Sequence, residues 1–220
     1  MLPVFSLRGI SHRKILFIPR LDIPTGSLYC ITGKSGSGKT TLLKLLNNLI
    51  SCDKGEVSYY SNNVLTLAPV ALRRRVIMVP QSPWIFPRTV LENIKLAFYF
   101  NRKEPPAQDE IEQLLSVFDM SGMLDRDTFT MSGGEKQRLA LARAMLLDPE
   151  TLLLDESTAA LDKENAEAVI IFLAQWVRKP GKSIVMITHA ETLISEHADY
   201  IRNLAEGQIL SLQERRGANV

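Results

Sequence analysis

The sequence predicts an α/β protein with a mainly parallel sheet, an N-terminal antiparallel β subdomain and an inserted α-helical subdomain. Three observations carry this. Short apolar runs bounded by turn residues recur at 28–32, 76–79, 152–154 and 184–188, the pattern of strands buried on both faces. Longer segments with helical spacing lie between them, and strands alternating with helices argue for a parallel sheet covered on both sides. From 82 to 130 the character changes to amphipathic helix.

In chain order, residues 1–25 and 56–60 read as β segments, and 28–32 as the first buried strand. Leu42, Leu43, Leu45, Leu46 and Leu49 then fall on helical spacing. After the 76–79 strand comes the helical insertion, broken at Pro105-Pro106, with Ile111, Leu114, Leu115 and Phe118 on one face. Leu139, Leu141, Ala142 and Met145 mark another helix, followed by the strands at 152–154 and 184–188. The pair 200–203 and 208–212 around Glu206-Gly207 reads as a hairpin. The short basic clusters at 73–75 and 215–216 read as solvated surface.

The 220 residues suit one large domain. Lys and Arg total 26 against 24 Asp and Glu, a net +2 with 45% hydrophobic residues, which argues against a disordered chain and against one that coats nucleic acid. Two cysteines cannot build a disulfide framework. The apolar run at 168–177 is far shorter than the roughly 18–20 residues a membrane-spanning helix needs. The N-terminus lacks the pattern of a secretory signal, so a cytoplasmic location is expected.

Gly33-Lys34-Ser35-Gly36-Ser37-Gly38-Lys39-Thr40, followed by Thr41, fits G-x-x-x-x-G-K-[ST] between a predicted strand and a predicted helix. Glycines there let several backbone N–H groups face one phosphate, and the helix N-terminus adds its positive end. Lys39 is expected to reach the β- and γ-phosphates of a nucleotide, and Thr40 to ligate Mg²⁺. The run 152–154 ends in Asp155 and Glu156. Asp155 suits a water-mediated Mg²⁺ contact, while Glu156, pointing the other way along an extended chain, suits the orientation of an attacking water. No N-K-x-D base-reading motif occurs, which demotes a switch GTPase.

Ser132-Gly133-Gly134-Glu135 opens a helix, and Ser132 with Glu135 makes a capping box. Two first-turn glycines, each weakening a helix by roughly 0.8–1 kcal/mol, are then odd. They suit a second phosphate site, beyond the one the chain already has.

With these motifs the chain resembles the ATP-binding-cassette (ABC) ATPases, whose signature is L-S-G-G-Q. The resemblance spans nearly the whole chain in the family's order: the P-loop at 33–40, Gln81 after a strand, the signature at 131–135, the Walker B segment at 152–156, a D-loop with Asp162, and His189 after a strand. It implies a P-loop NTPase, RecA-like core formed by 1–81 and 131–220 with the β subdomain, and a helical subdomain at 82–130. It also implies a head-to-tail dimer with a second copy, ATP lying between the P-loop of one subunit and Ser132, Gly133, Gly134 and Glu135 of the other. Gln81 would sense Mg²⁺ and the attacking water, His189 would contact the γ-phosphate, and Asp162 would communicate across the dimer. Catalysis would then rest on Glu156, His189 and Gln81, and Mg²⁺ on Thr40, Gln81 and, through water, Asp155.

The pattern is departed from in three places. Met131 and Glu135 replace the usual Leu and Gln, while the aromatic residue that stacks on adenine is matched by His12. The segment before the signature lacks the Gly-rich acidic loop of exporters fused to their membrane domain, which favours a stand-alone subunit. The family implies a separate membrane permease, here docking near Trp84, Ile85 and Phe86, with the chain peripheral on the inner face of the membrane. A soluble ABC ATPase of DNA repair or translation is the alternative. It is disfavoured because about 50 residues without heptads separate Gln81 from Ser132 and the chain holds one cassette. The 89–94 segment and the signature look similar to small ATPases associated with metal, notably iron, export.

Overall fold

The computed structural model describes residues 2–158, 161 and 163–214. The elements run β1 (Pro3–His12), β2 (Leu16–Pro24), β3 (Leu28–Thr32), α1 (Lys39–Leu46), β4 (Lys54–Tyr59), β5 (Asn62–Asn63), α2 (Pro69–Arg75), β6 (Val76–Val79), α3 (Val90–Asn101), α4 (Gln108–Val117), α5 (Gly133–Leu146), β7 (Thr151–Asp155), α6 (Lys163–Trp176), β8 (Ser183–Ile187), α7 (Glu191–His197), β9 (Tyr200–Ala205) and β10 (Gln208–Glu214). Two sheets result. One is antiparallel in the order β2-β1-β4-β5; the other runs β10-β9-β3-β8-β7-β6 and is parallel except for the β9–β10 hairpin.

The four apolar runs become adjacent parallel strands because each has something to bury on both faces. Leu28, Cys30, Leu152, Leu154, Ile184 and Met186 point into one core, shared with Val90, Ile94 and Phe98 of α3, Ile111 and Leu115 of α4, Leu139 and Leu141 of α5 and Ile170 and Leu173 of α6. Their alternates Tyr29, Ile31, Leu153, Val185 and Ile187 join a second core with α1 and the inner residues of β1, β2 and β4. The helical face expected at 111–118 is present, with Ile111, Leu115 and Phe118 buried and Leu114 packed against them.

Helix α1 has 8 residues, too few to persist alone. It is held by Leu42, Leu43, Leu45 and Leu46, buried between the sheets, each contributing roughly 1.5–3 kcal/mol of transfer free energy. The two sheets also meet at the hairpin turn. A Cβ on Gly207 would stand 2.3 Å from the Ile15 carbonyl oxygen, and the Gly207 carbonyl accepts from the Phe17 N–H at 2.8 Å. Helices α2 and α7 were not expected from periodicity; α2 buries just Leu72, and its last turn is Arg73-Arg74-Arg75.

Candidate active site

The loop between β3 and α1 is shaped for backbone approach. Gly33 has φ +141°, and a Cβ there would lie 2.1 Å from the Leu204 carbonyl oxygen of β9. Gly38, φ +101°, is the N-cap of α1 and supplies no side-chain cap, so the first N–H groups of the helix stay open to an anion. Lys39 is buried and folds back over the loop, its Nζ donating to the Gly33 carbonyl at 2.7 Å and the Lys34 carbonyl at 3.0 Å. The buried Ser37 hydroxyl has no hydrogen-bond partner among the described residues. Lys34, Ser35, Gly36 and Ser37 line one side of a cavity of about 390 Å³, with Asn203, Ala205 and Glu206 across it. An orphaned hydroxyl, a curled lysine and an uncapped helix start are what a polyphosphate would satisfy.

The parallel register sets β7 beside β6 and β8, so the ends of all three strands open on this loop. The Thr40 hydroxyl donates to Asp155 Oδ1 at 3.1 Å. Burial pushes the Asp155 carboxyl above its ordinary value, the Thr40 hydrogen bond pulls it back, and the Glu156 charge adds to the rise. A cation arriving here would relieve that penalty. Hard oxygen donors that leave room for water and phosphate fit Mg²⁺. Among the described residues no cluster of three or more His, Cys, Asp or Glu could hold a metal, so the ion's remaining ligands would be nucleotide and water.

Glu156 departs from the extended chain expected of it: its φ is +51°, and its N–H donates to the Ile187 carbonyl at 3.0 Å. This turn aims its carboxylate at two side chains from neighbouring loops. Gln81 Nε2 donates to Oε2 at 2.9 Å, and His189 Nε2 lies 3.0 Å from Oε1. Two residues singled out in the sequence, Gln81 and His189, therefore converge from separate segments on the carboxylate of a third, Glu156.

Ser132 is the N-cap of α5 and Glu135 closes the capping box, the Ser132 N–H donating to Glu135 Oε2 at 2.7 Å and the Glu135 N–H to the Ser132 hydroxyl at 3.2 Å. A Cβ on Gly133 would meet nothing within 4 Å. Nothing in its own chain therefore requires a glycine there. Met131 is buried in the core, where it replaces Leu without loss of packing.

Residues 18–159 match the family model described as "ABC transporter". The chain belongs to the ABC transporter family. It is 35% identical over 218 residues to the methionine import ATP-binding protein MetN of Bordetella pertussis, covering 96% of this chain and 57% of that protein. Protein STAR1 of Oryza sativa subsp. japonica is 33% identical over 217 residues, 96% of this chain and 62% of that protein. The chain thus spans little more than half the length of these curated relatives. Among solved structures, a dimeric bacterial ABC transporter cassette superposes with a TM-score of 0.86 at 27% identity, covering 97% of this chain and all of that one. A dimeric post-hydrolysis ATP-binding cassette bound to ADP and phosphate gives 0.85 at 25% identity, with the same coverage. The P-loop NTPase fold, with its mixed α/β sheets, is that of an ABC ATPase cassette. These relatives' names give no support to metal export.

The structure corrects one expected contact of this ABC cassette. His12 falls on an inward position of β1 opposite Leu16 and is 5% exposed, so its ring is not offered to a base. Its Nδ1 is buried without a hydrogen-bond partner among the described residues, 3.8 Å from Asp53 Oδ1. Two apolar side chains border the P-loop at Gly38: buried Leu16, whose Cδ2 lies 2.7 Å from where a Gly38 Cβ would stand, and Ile15, 41% exposed, whose Cγ2 lies 3.3 Å from it. Asp162 lies outside the described residues.

The 82–89 loop is fixed from behind. Buried Asn93 accepts from the Phe86 N–H at 2.9 Å and donates to the carbonyls of Phe86 and Thr89, both at 3.0 Å. Trp84 is left 74% exposed beside a groove of about 250 Å³ lined by Ile77, Pro83, Ala140, Arg143 and Leu147. Ile85 packs on the core, and Phe86 lies 6.3 Å from the Phe100 ring. Exposed Tyr99 and Phe100, at the end of α3, were missed in the sequence because they look like ordinary apolar helix positions.

Proposed function

We propose that this cassette is an ATP-hydrolysing subunit that dimerises head-to-tail around two ATP molecules and drives a separate membrane permease. The convergence of Gln81 and His189 on Glu156, beside the P-loop, carries the reading. The triphosphate lies on the backbone of 33–38, with Lys39 released from the Gly33 and Lys34 carbonyls toward its β- and γ-oxygens. Thr40, with Asp155 through water and Gln81, would hold Mg²⁺ against the phosphates, where it would supply charge neutralisation. Glu156 accepts a proton from a water that attacks the γ-phosphorus in line, while the bond to the β-bridging oxygen breaks and ADP leaves. His189 moves from Glu156 to the γ-phosphate, and Gln81 reports the occupied site to the 82–89 loop. Ser132, Gly133 and Gly134 of the second copy close the site on the far side.

Among the described residues no helix is long and apolar enough to cross a membrane, so the permease is another polypeptide or segment. Trp84, exposed on the rim of an apolar groove, together with exposed Tyr99 and Phe100 at the end of α3, suits a cytoplasmic helix of that partner. The cassette would then sit on the inner face of the membrane, with its cargo chosen by the permease. The near-balanced charge favours no nucleic-acid partner.

Glu156→Gln tests the reading. It should lower hydrolysis about 10²–10⁴-fold, the usual weight of a general base, and trap an ATP-dependent dimer in gel filtration. A variant that stays monomeric with ATP, or hydrolyses it normally, refutes it.

A further inference from the structure

The start of α5 holds a contradiction in charge. The helix N-terminus is offered to a phosphate, yet the Glu135 carboxylate stands in its first turn. Like charges brought together at an interface oppose association. The side chain that answers this lies on the loop before the signature. Arg126 Nη1 donates to Glu135 Oε1 at 2.7 Å and Nη2 reaches Oε2 at 3.3 Å, a two-pronged pair in which the glutamate side chain is just 15% exposed. Arg126 is itself held in place, its carbonyl accepting the Val90 N–H at 3.1 Å at the start of α3. The Ser132 N–H first, and Arg126 with it, keep the Glu135 carboxyl below its ordinary value, so it is ionised at neutral pH. Without the guanidinium, a bare negative charge would face the incoming nucleotide.

We propose that Arg126 is a positioning residue of the composite ATP site: it neutralises Glu135 where that carboxylate caps the helix, so that Ser132, Gly133 and Gly134 can accept the γ-phosphate of the other copy's ATP. This rests on the head-to-tail site proposed above. A bidentate guanidinium does this better than an ammonium, because it occupies both carboxylate oxygens while the glutamate still caps the helix.

The test exploits the fact that glutamine can also close a capping box. ATP-driven dimerisation is followed by gel filtration in the Glu156→Gln background, and kcat and KM are measured in chains with Glu156 intact. R126Q should raise the ATP needed for half-dimerisation at least about tenfold and lower kcat/KM by a similar factor. R126Q/E135Q should restore both to within about twofold of the parent, because the charge to be masked is gone. A merely structural arginine would show no such rescue. R126Q equal to the parent, or impaired and unrescued by E135Q, overturns the proposal. If R126Q melts without a cooperative transition, R126K and R126K/E135Q replace the pair: R126K should lie closer to the parent and gain from E135Q, and an R126K defect that E135Q leaves unchanged overturns it. A Glu156→Gln parent that stays monomeric with ATP removes the composite site itself, and that failure is visible before Arg126 is touched.

Discussion

Gly133→Ala separates what α5 needs for itself from what it offers to another molecule. Glycine weakens a helix interior by roughly 0.8–1 kcal/mol relative to alanine, chiefly through the unfolded chain's greater freedom. At Gly133 the backbone is not in the left-handed region, and an added Cβ has no atom within 4 Å, so no strain or clash offsets the gain. The variant should be more stable by up to about 1 kcal/mol, which for a chain of this size raises Tm by roughly 2–4 °C. The same methyl would stand between the first-turn N–H groups and an incoming phosphate. Displacing a reacting group by about 1 Å costs on the order of 10²-fold in rate. Circular-dichroism melting and steady-state ATP hydrolysis, measured on one preparation, should therefore move in opposite directions. A lower Tm would refute the claim that the chain does not need this glycine. Hydrolysis within about twofold of wild type would refute the claim that a phosphate does.

The remaining predictions concern the body of the cassette and its outer face. Glu150 accepts from Arg75 Nε at 2.7 Å and Nη2 at 2.8 Å and from the Tyr59 hydroxyl at 2.9 Å. Burial raises its carboxyl, but the Arg75 and Tyr59 hydrogen bonds outweigh that and leave it below its ordinary value. A depressed carboxyl stabilises the fold above its unfolded-state pKa and loses that contribution as pH falls through the folded one. The urea midpoints of wild type and E150Q should differ at pH 7, by no more than about 1 kcal/mol because the pair is half exposed, and the gap should shrink steadily as acid protonates the folded carboxyl; a gap that does not change with pH would contradict this. Trp84→Ala removes a side chain 74% exposed, so stability should change by less than about 0.5 kcal/mol. The variant should nevertheless no longer copurify with the membrane protein that the wild-type chain retains in detergent, and undiminished retention would remove Trp84 from the docking surface.

What could be read from the sequence was whatever local pattern determines. Runs such as Leu152-Leu153-Leu154 announce a doubly buried strand because both parities are apolar, and the two cores take alternate residues from each run. The P-loop was legible because its glycines answer to backbone geometry within eight residues. Residues set by distant contacts were not. The left-handed turn at Glu156 depends on the Ile187 carbonyl of the next strand, so the extended backbone that alternation along β7 implies stops at Asp155. His12 looked suitable by its place before the P-loop, but it shares the inward parity of Ile10, with half-buried Ser11 between them. Arg126 carried no signal of its own until the fold set it beside Glu135.

Helix α5 shows why these scattered motifs belong to one device. It begins at Ser132, where a second subunit's phosphate would land. One turn on, buried Gln137 donates to the Pro80 carbonyl at 3.2 Å, immediately before Gln81. Two turns further, Arg143 donates to the Trp84 carbonyl at 3.0 Å on the rim of the exposed groove. A helix of 14 residues, its interior backbone hydrogen-bonded turn to turn, moves as a rigid rod. Any shift of Ser132 toward a nucleotide therefore carries Pro80 and Trp84 with it, unless two side-chain hydrogen bonds are broken. The Gln81 side chain then departs from or approaches Glu156 as the docking rim moves. On the proposed dimer, events at the trans phosphate, the attacking water and the outer groove would be tied mechanically by one helix and two polar side chains, with no need for a longer chain of contacts.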